Sequence, residues 1–305
     1  MFSAQTARRK QYLYPFKIQK DHGSCPLCGG IRFSLFQKAG YKMKWSEEVT
    51  VRPSDTDING IASAGAVLSY IQNAGYYQHF YVGPSLEDIR KNGMAFILSR
   101  AALRIYEPMY ACDKLTAESW PCKISGASFM RSARIMRGDS TVAEAITSWA
   151  LVDIESGKLC RADSVKLGFG TDEPVSHGVP IRFSIPKDIE LQPRGSRLIT
   201  YSDADSNGHM TNTAYPDMLC DFLPSVSMHD CGESALGVRG DHRPLLTGKR
   251  ITSLSLSFLS EARIGEKITV LCGRDQSGVY YFKTKHGDAP DAAVGVEARM
   301  EIGDI

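Results

Sequence analysis

Apolar residues recur at helical spacing behind Ser63. Val67, Tyr70, Ile71 and Ala74 stand at i, i+3, i+4 and i+7, and Ser63 is placed as an N-cap, so the pattern predicts a helix with one buried stripe. Lys44 to Arg52 ahead of it reads as extended. Beyond Gly93 the period shortens, predicting strands over Ala95 to Leu103, Leu115 to Trp120, Ser128 to Arg137 and Thr141 to Val152, the last two joined at Gly138-Asp139 as a hairpin. Gly168 to Pro186 carries three prolines and three glycines without periodicity and reads as a linker. The order then returns, with a strand over 191–201, a helix from about Asn212 to Leu223 in which Pro216 is tolerable near the first turn, and a Gly- and charge-rich loop from Asp230 to Lys249. Ile251 to Ser260 alternates Leu254, Leu256 and Phe258 with Ser253, Ser255 and Ser257, a half-buried strand. Lys267 to Cys272, Val279 to Lys285 and Ala292 to Ile302 complete an antiparallel set, with Gly278 and Gly287 near its turns.

The return is also a repeat in sequence. Ser54-Asp55-Thr56-Asp57-Ile58-Asn59-Gly60-Ile61 aligns without a gap with Ser202-Asp203-Ala204-Asp205-Ser206-Asn207-Gly208-His209. One strand, a helix and several antiparallel strands, twice over, is the tandem (double) hotdog arrangement, an α+β fold in which each module wraps an antiparallel sheet around a central helix. The expected organisation is an N-terminal arm over 1–42, a first module over 43–169, a linker over 170–190 and a second module over 191–305. Strands of the two modules are expected to join into one sheet, which protects edges otherwise left open.

Composition narrows the classes. The chain has 305 residues, 43% hydrophobic and 23% charged, with a formal net charge of +2, which suits a globular protein and gives no reason to expect nucleic acid. No apolar run approaches the ~20 residues that span a bilayer. No apolar core follows the early basic residues, so a cytoplasmic protein is expected, or a plastid one if the acid-free first twenty residues are a transit segment. The scattered cysteines suit reduced thiols. Cys25 and Cys28 make half a zinc knuckle, but no second Cys-x-x-Cys exists to complete four ligands.

The chemistry gathers at Asp205, Asn207 and His209. Alternate residues of an extended chain point the same way, so an acid, an amide and an imidazole converge on one volume where they would hold and activate a water, while Gly208 permits a tight turn. The same stretch also reads as a polar loop entering a helix. The first copy keeps Asp57 and Asn59 but has Ile61 where His209 stands, which leaves one imidazole for two modules. No Gly-x-Ser-x-Gly elbow is present, which disfavours a serine hydrolase.

Asp205-Ser206-Asn207-Gly208-His209-Met210-Thr211-Asn212-Thr213-Ala214-Tyr215 resembles the DxNxHxNNxxY signature of the acyl-acyl carrier protein (acyl-ACP) thioesterases of plants and many bacteria, which are tandem hotdog proteins. Gly93 to Arg100, Thr147-Ser148-Trp149 and Ser257 to Arg263 support the resemblance, which spans roughly 43–305 in both modules. It implies Asp205, Asn207, His209 and Glu261 as catalytic residues, and hydrolysis of fatty acyl-ACP to free fatty acid and ACP, ending chain elongation. Many members carry Cys after that Glu; Ala262 here excludes a thiol nucleophile from that position, and Thr211 stands where the paired Asn begins.

A thioester has an electrophilic carbonyl and a good leaving group, so no cofactor is implied. Glu261 and His209 would position and deprotonate water, Asp205 orient the imidazole, and the helix N-terminus after the turn polarise the carbonyl. The first module would shape an acyl tunnel with Met94 and Phe96 among its walls, and Arg131 and Arg134 are expected to meet the acidic carrier protein. An acyl-CoA thioesterase and a non-catalytic acyl-binding protein are the competing readings, and either a monomer or a homodimer fits.

Overall fold

The computed structural model describes residues 44–124, 127–227, 242–244 and 246–305. The arm over 1–42 with its Cys25 and Cys28 pair, and most of the expected loop from Asp230 to Lys249, lie outside the described residues. In chain order the elements are β1 (Trp45–Thr50), α1 (Ala64–Tyr81), α2 (Leu86–Lys91), β2 (Met94–Ile105), β3 (Lys114–Pro121), β4 (Ser128–Arg137) and β5 (Ser140–Asp153). The second half follows with β6 (Gln192–Leu198), α3 (Tyr215–Asp221), a small pair β7 (Ser225–Ser227) and β8 (His242–Pro244), then β9 (Lys249–Phe258), β10 (Lys267–Arg274), β11 (Tyr280–His286) and β12 (Val294–Asp304).

Ten of these strands form one antiparallel sheet in the order β1-β3-β4-β5-β2-β9-β12-β11-β10-β6. Read inward from either edge, the succession is the same, which is the sheet of a tandem hotdog. The halves meet at β2 and β9, where Ala101 lies opposite Leu256 and Leu103 opposite Leu254. Those four apolar side chains are buried and belong to one core that takes in both halves, from Val67, Leu68 and Ile71 of α1 to Met218 and Leu219 of α3. Ser63 caps α1 through its Oγ, which accepts from the Ala66 N–H at 3.1 Å, and Ser63 Oγ in turn donates to Asp217 of α3 at 2.8 Å. Gly65 lets that contact form, since a Cβ there would stand 2.5 Å from the Asp217 carboxylate.

The expected strands match closely, but three features differ from the sequence reading. The second helix is only the seven residues of α3, preceded by a tight turn over Asn212–Ala214. Pro216 confines the helix start, and Pro224, which the residue before it must meet in an extended conformation, ends it. The six-residue α2 was not expected, although Ser85 with Asp88 three residues on is an N-terminal signature, and Ser85 Oγ accepts the Asp88 N–H at 3.1 Å.

The third difference concerns the stretch between the halves, which lies along the outer face of the sheet. Trp120 donates its indole N–H to Glu173 O at 2.9 Å, the Val175 N–H reaches Ser132 Oγ at 3.1 Å, and Ser255 Oγ donates to Pro180 O at 2.7 Å. Ser255, expected on a wet face, is thereby covered, and Ser253 and Ser257 on the same strand are buried as well.

Inside the first half, His79 of α1 is buried between the rings of Phe96 and Phe169, with Nδ1 3.1 Å from Pro84 O. Burial, aided by the nearby Arg131 charge, pushes the imidazole down from 6.5 to about 4. The unfolded chain then binds more protons than the folded one between those values. The stabilisation is complete above about pH 6.5 and is lost as the pH falls through about 4. Lowering the pH from about 7 to about 5 is expected to remove about 2 kcal/mol through this residue, and urea titrations of wild type and His79→Gln should differ by that amount in their pH dependence.

Candidate active site

The turn over Asp205 to His209 is built by its own carboxylate. Asp205 Oδ1 accepts the Asn207 N–H at 2.8 Å and the His209 N–H at 3.3 Å, while the Asp205 N–H donates to His209 O at 2.8 Å. Gly208 occupies φ 78°, a conformation that strains any residue with a Cβ. The chain following β9 is then bonded along the turn: the Met210 N–H donates to Ala262 O at 2.7 Å and the Ile264 N–H to Gly208 O at 3.2 Å. These backbone bonds carry Glu261 to the imidazole, where its Oε2 lies 3.2 Å from His209 Nδ1. The side chains of His209 and Glu261 are 22% and 47% exposed, so a substrate can reach both.

The first copy repeats the scaffold and omits the pair. Asp57 Oδ1 accepts the N–H groups of Asn59 at 2.8 Å and Ile61 at 3.4 Å, Gly60 sits at φ 72°, and the Ala62 N–H donates to Met109 O at 2.7 Å. Matching Met109 to Ala262 through that bond sets Pro108 where Glu261 stands and Ile61 where His209 stands. A cavity of about 470 Å³ opens beside this copy, bordered by Asp57, Ile61, Pro108 and Met109. Asp57 and Asp205 form their turns alike, while the imidazole and the carboxylate facing it occur together in one.

That comparison divides the expected site residues. His209 and Glu261 face each other across 3.2 Å, Nδ1 to Oε2, an arrangement that leaves Nε2 outside the contact. Asp205 touches Asn207 through Oδ2 to Nδ2 at 3.1 Å and meets His209 through the backbone N–H, so it orients the turn rather than the ring. Ala262 is buried in the core, its carbonyl bonded to Met210. Tyr215, the last residue of the sequence motif, packs edge-on against Phe258 with centroids 5.6 Å apart; burial and the charges of Glu266 and Glu261 push its phenol up to about 12, so it stays neutral.

Three other expectations need correction. Arg131 does not present a docking surface: its guanidinium lies against α1 at Gly75 and donates to Gln78 Oε1 and Ser119 Oγ, both buried. Arg134 is committed on the outer face, 3.1 Å from Glu144 and over the Trp120 ring. The N-terminus of α3 begins six residues past His209 on a helix of seven residues, and its first-turn Asp217 is bonded to Ser63 and Gly65, so a helix dipole does not serve this site. Met94 and Phe96 pack against an apolar cluster of Ile89 of α2, Phe129 and Leu151. The residue missed by the sequence reading is Arg90 of α2, whose Nη1 donates to Asn207 Oδ1 at 2.7 Å. Only the packing of one half on the other brings them together.

Comparison with known proteins follows the same lines. Residues 42–165 match the family model described as the acyl-ACP thioesterase N-terminal domain. No curated protein matches the chain. The crystal structure of an acyl-ACP thioesterase from Bacteroides thetaiotaomicron superposes with a TM-score of 0.68 at 18% identity, covering 86% of this chain and 98% of that one. The 12:0-ACP thioesterase from Umbellularia californica gives a TM-score of 0.68 at 14% identity, covering 88% of this chain and 100% of that one. At such identities the likeness establishes the shared tandem hotdog fold.

If the two aspartates are turn formers, their removal should cost alike. Asp57→Ala and Asp205→Ala are each expected to lower stability by about 1 kcal/mol, the loss of two bonds to a partly solvated carboxylate, as measured by urea unfolding.

Proposed function

We propose that this chain, whose residues 42–165 match the model of the acyl-ACP thioesterase N-terminal domain, is a thioester hydrolase that releases free fatty acid from acyl-ACP at the turn of its second module. The observation that carries the reading is the 3.2 Å pairing of His209 Nδ1 with Glu261 Oε2 on a turn whose first copy has Ile61 and Pro108 instead.

The chemistry follows from that pair. Glu261 keeps the proton of the neutral imidazole on Nδ1, so Nε2 acts as general base and takes a proton from water as the water oxygen bonds to the thioester carbonyl carbon. The carbonyl oxygen gains the displaced electron pair, and the Asn207 amide, one N–H of which is already directed to Asp205, has its other N–H to offer that oxyanion. Collapse of the tetrahedral species breaks the carbon–sulfur bond. The thiolate of the carrier leaves with the proton returned by the imidazolium, giving the fatty acid and the free thiol. The acyl chain would run past Ile89 into the cluster of Met94, Phe96, Phe129 and Leu151 beneath α2. With Arg131 turned inward and Arg134 paired, Arg263 is an exposed cation beside the turn, and the acidic carrier would approach from that side.

Product release should be followed on a panel of acyl-ACPs and matching acyl-CoAs. His209→Ala and Glu261→Ala, folded as wild type, are expected to lower kcat by about 10² to 10⁴ on acyl-ACP. Equal efficiency on CoA thioesters would move the assignment to an acyl-CoA thioesterase, and no turnover by wild type would leave an acyl-binding protein.

A further inference from the structure

The two Asn side chains of the repeated turns each reach across to the opposite half of the molecule, but they are held differently. Asn59 is used up: its Nδ2 donates to Leu246 O at 2.7 Å and Lys249 O at 2.9 Å, and its Oδ1 accepts the Gly248 N–H at 2.8 Å. Every polar atom of that amide serves as a staple for the turn before β9. Asn207 meets no such backbone. Its Oδ1 accepts from Arg90 Nη1 at 2.7 Å and its Nδ2 donates to Asp205 Oδ2 at 3.1 Å, which leaves one N–H unspent.

We infer that Arg90 is a positioning residue for the hydrolytic reaction, holding the Asn207 amide with its nitrogen toward the reacting carbonyl from the opposite module. The inference rests on the reading of this turn as the hydrolytic site. Two neighbours fix which way round the amide sits: a guanidinium can only donate, so it takes Oδ1, and the Asp205 carboxylate can only accept, so it takes Nδ2. A single one of these contacts would leave the group free to swing. Arg90 is itself held in place because the residue before it, Ile89, is buried among Phe129 and Leu151, and Ser85 caps the short helix. The link makes the active-site amide depend on a side chain that lies over the proposed acyl path, so that an acyl group lodged under α2 and the donor to its carbonyl are set by one element.

A double-mutant cycle on the full chain separates this role from others. Arg90→Met is expected to lower kcat on acyl-ACP by about tenfold with KM within about twofold, and Arg90→Lys, which keeps a donor, to recover most of it. In an Asn207→Ala background the same Arg90→Met change should alter kcat by less than about twofold, because the group it acts through is gone. Losses that multiply, or a change confined to KM, as a carrier-docking cation would give, overturn the proposal while leaving the hydrolytic reading intact. Absence of turnover by folded wild type overturns that reading and this one with it.

Discussion

Five residue pairs between β2 and β9, from Arg100 opposite Ser257 to Arg104 opposite Ser253, make one sheet out of two halves. Each half would otherwise present an open strand edge and an unfinished core. Joining there buries Ala101, Leu103, Leu254 and Leu256 on the inner face and brings the helices of both halves into contact, so that Asp217 of α3 holds the N-terminus of α1. The linker then crosses the joined sheet on its outer face and covers Ser255 of β9. Side chains at the turn of one half can therefore reach the other half, as Asn59 and Asn207 both do.

Near-symmetry of the scaffold makes the asymmetry of the chemistry informative. Asp57 and Asp205 make the same bonds, Gly60 and Gly208 share a left-handed conformation, and the segment after β2 and that after β9 are bonded to their turns alike. Against that background, Ile61 and Pro108 in the first half, where the second has His209 and Glu261, are a paired difference. A lone imidazole beside a proline, or a lone carboxylate beside an isoleucine, would lack the partner that orients it. The Asp present in both turns is explained by folding, because its carboxylate satisfies two backbone N–H groups that the tight turn leaves open.

Distribution of polar groups inside the first half follows from the same packing. His79 and Gln78 sit on the buried side of α1, one neutral between aromatic rings, the other accepting from Arg131. In the sequence, Arg131, Arg134 and Arg137 recur every third residue along β4. In the sheet their alternation sends Arg131 inward and Arg134 outward to Glu144, while Arg137 pairs with Glu107 and Asp113 at the strand end. A strand has two faces, and a count of charges does not say which one a given residue occupies.

Local patterns sufficed wherever structure is set by near neighbours. The stripe of Val67, Tyr70, Ile71 and Ala74, the hairpin at Gly138, the alternation from Ile251 to Phe258 and the ungapped repeat of the two turns together determined the tandem hotdog, and the order Asp205, Asn207, His209 marked the turn, because periodicity and turn chemistry act over a few residues. Glu261 was legible through its family resemblance alone, being 52 positions from His209 in a chain of 305 residues. What only the tertiary structure decided is which residues meet across those distances: Pro108 in the place of Glu261, Arg90 on Asn207, the linker over Ser255, and Arg131 turned away from solvent. Those contacts depend on the register of β2 against β9 and on one half packing against the other, and such long-range geometry is the sum of many weak packing preferences that no short stretch of sequence carries.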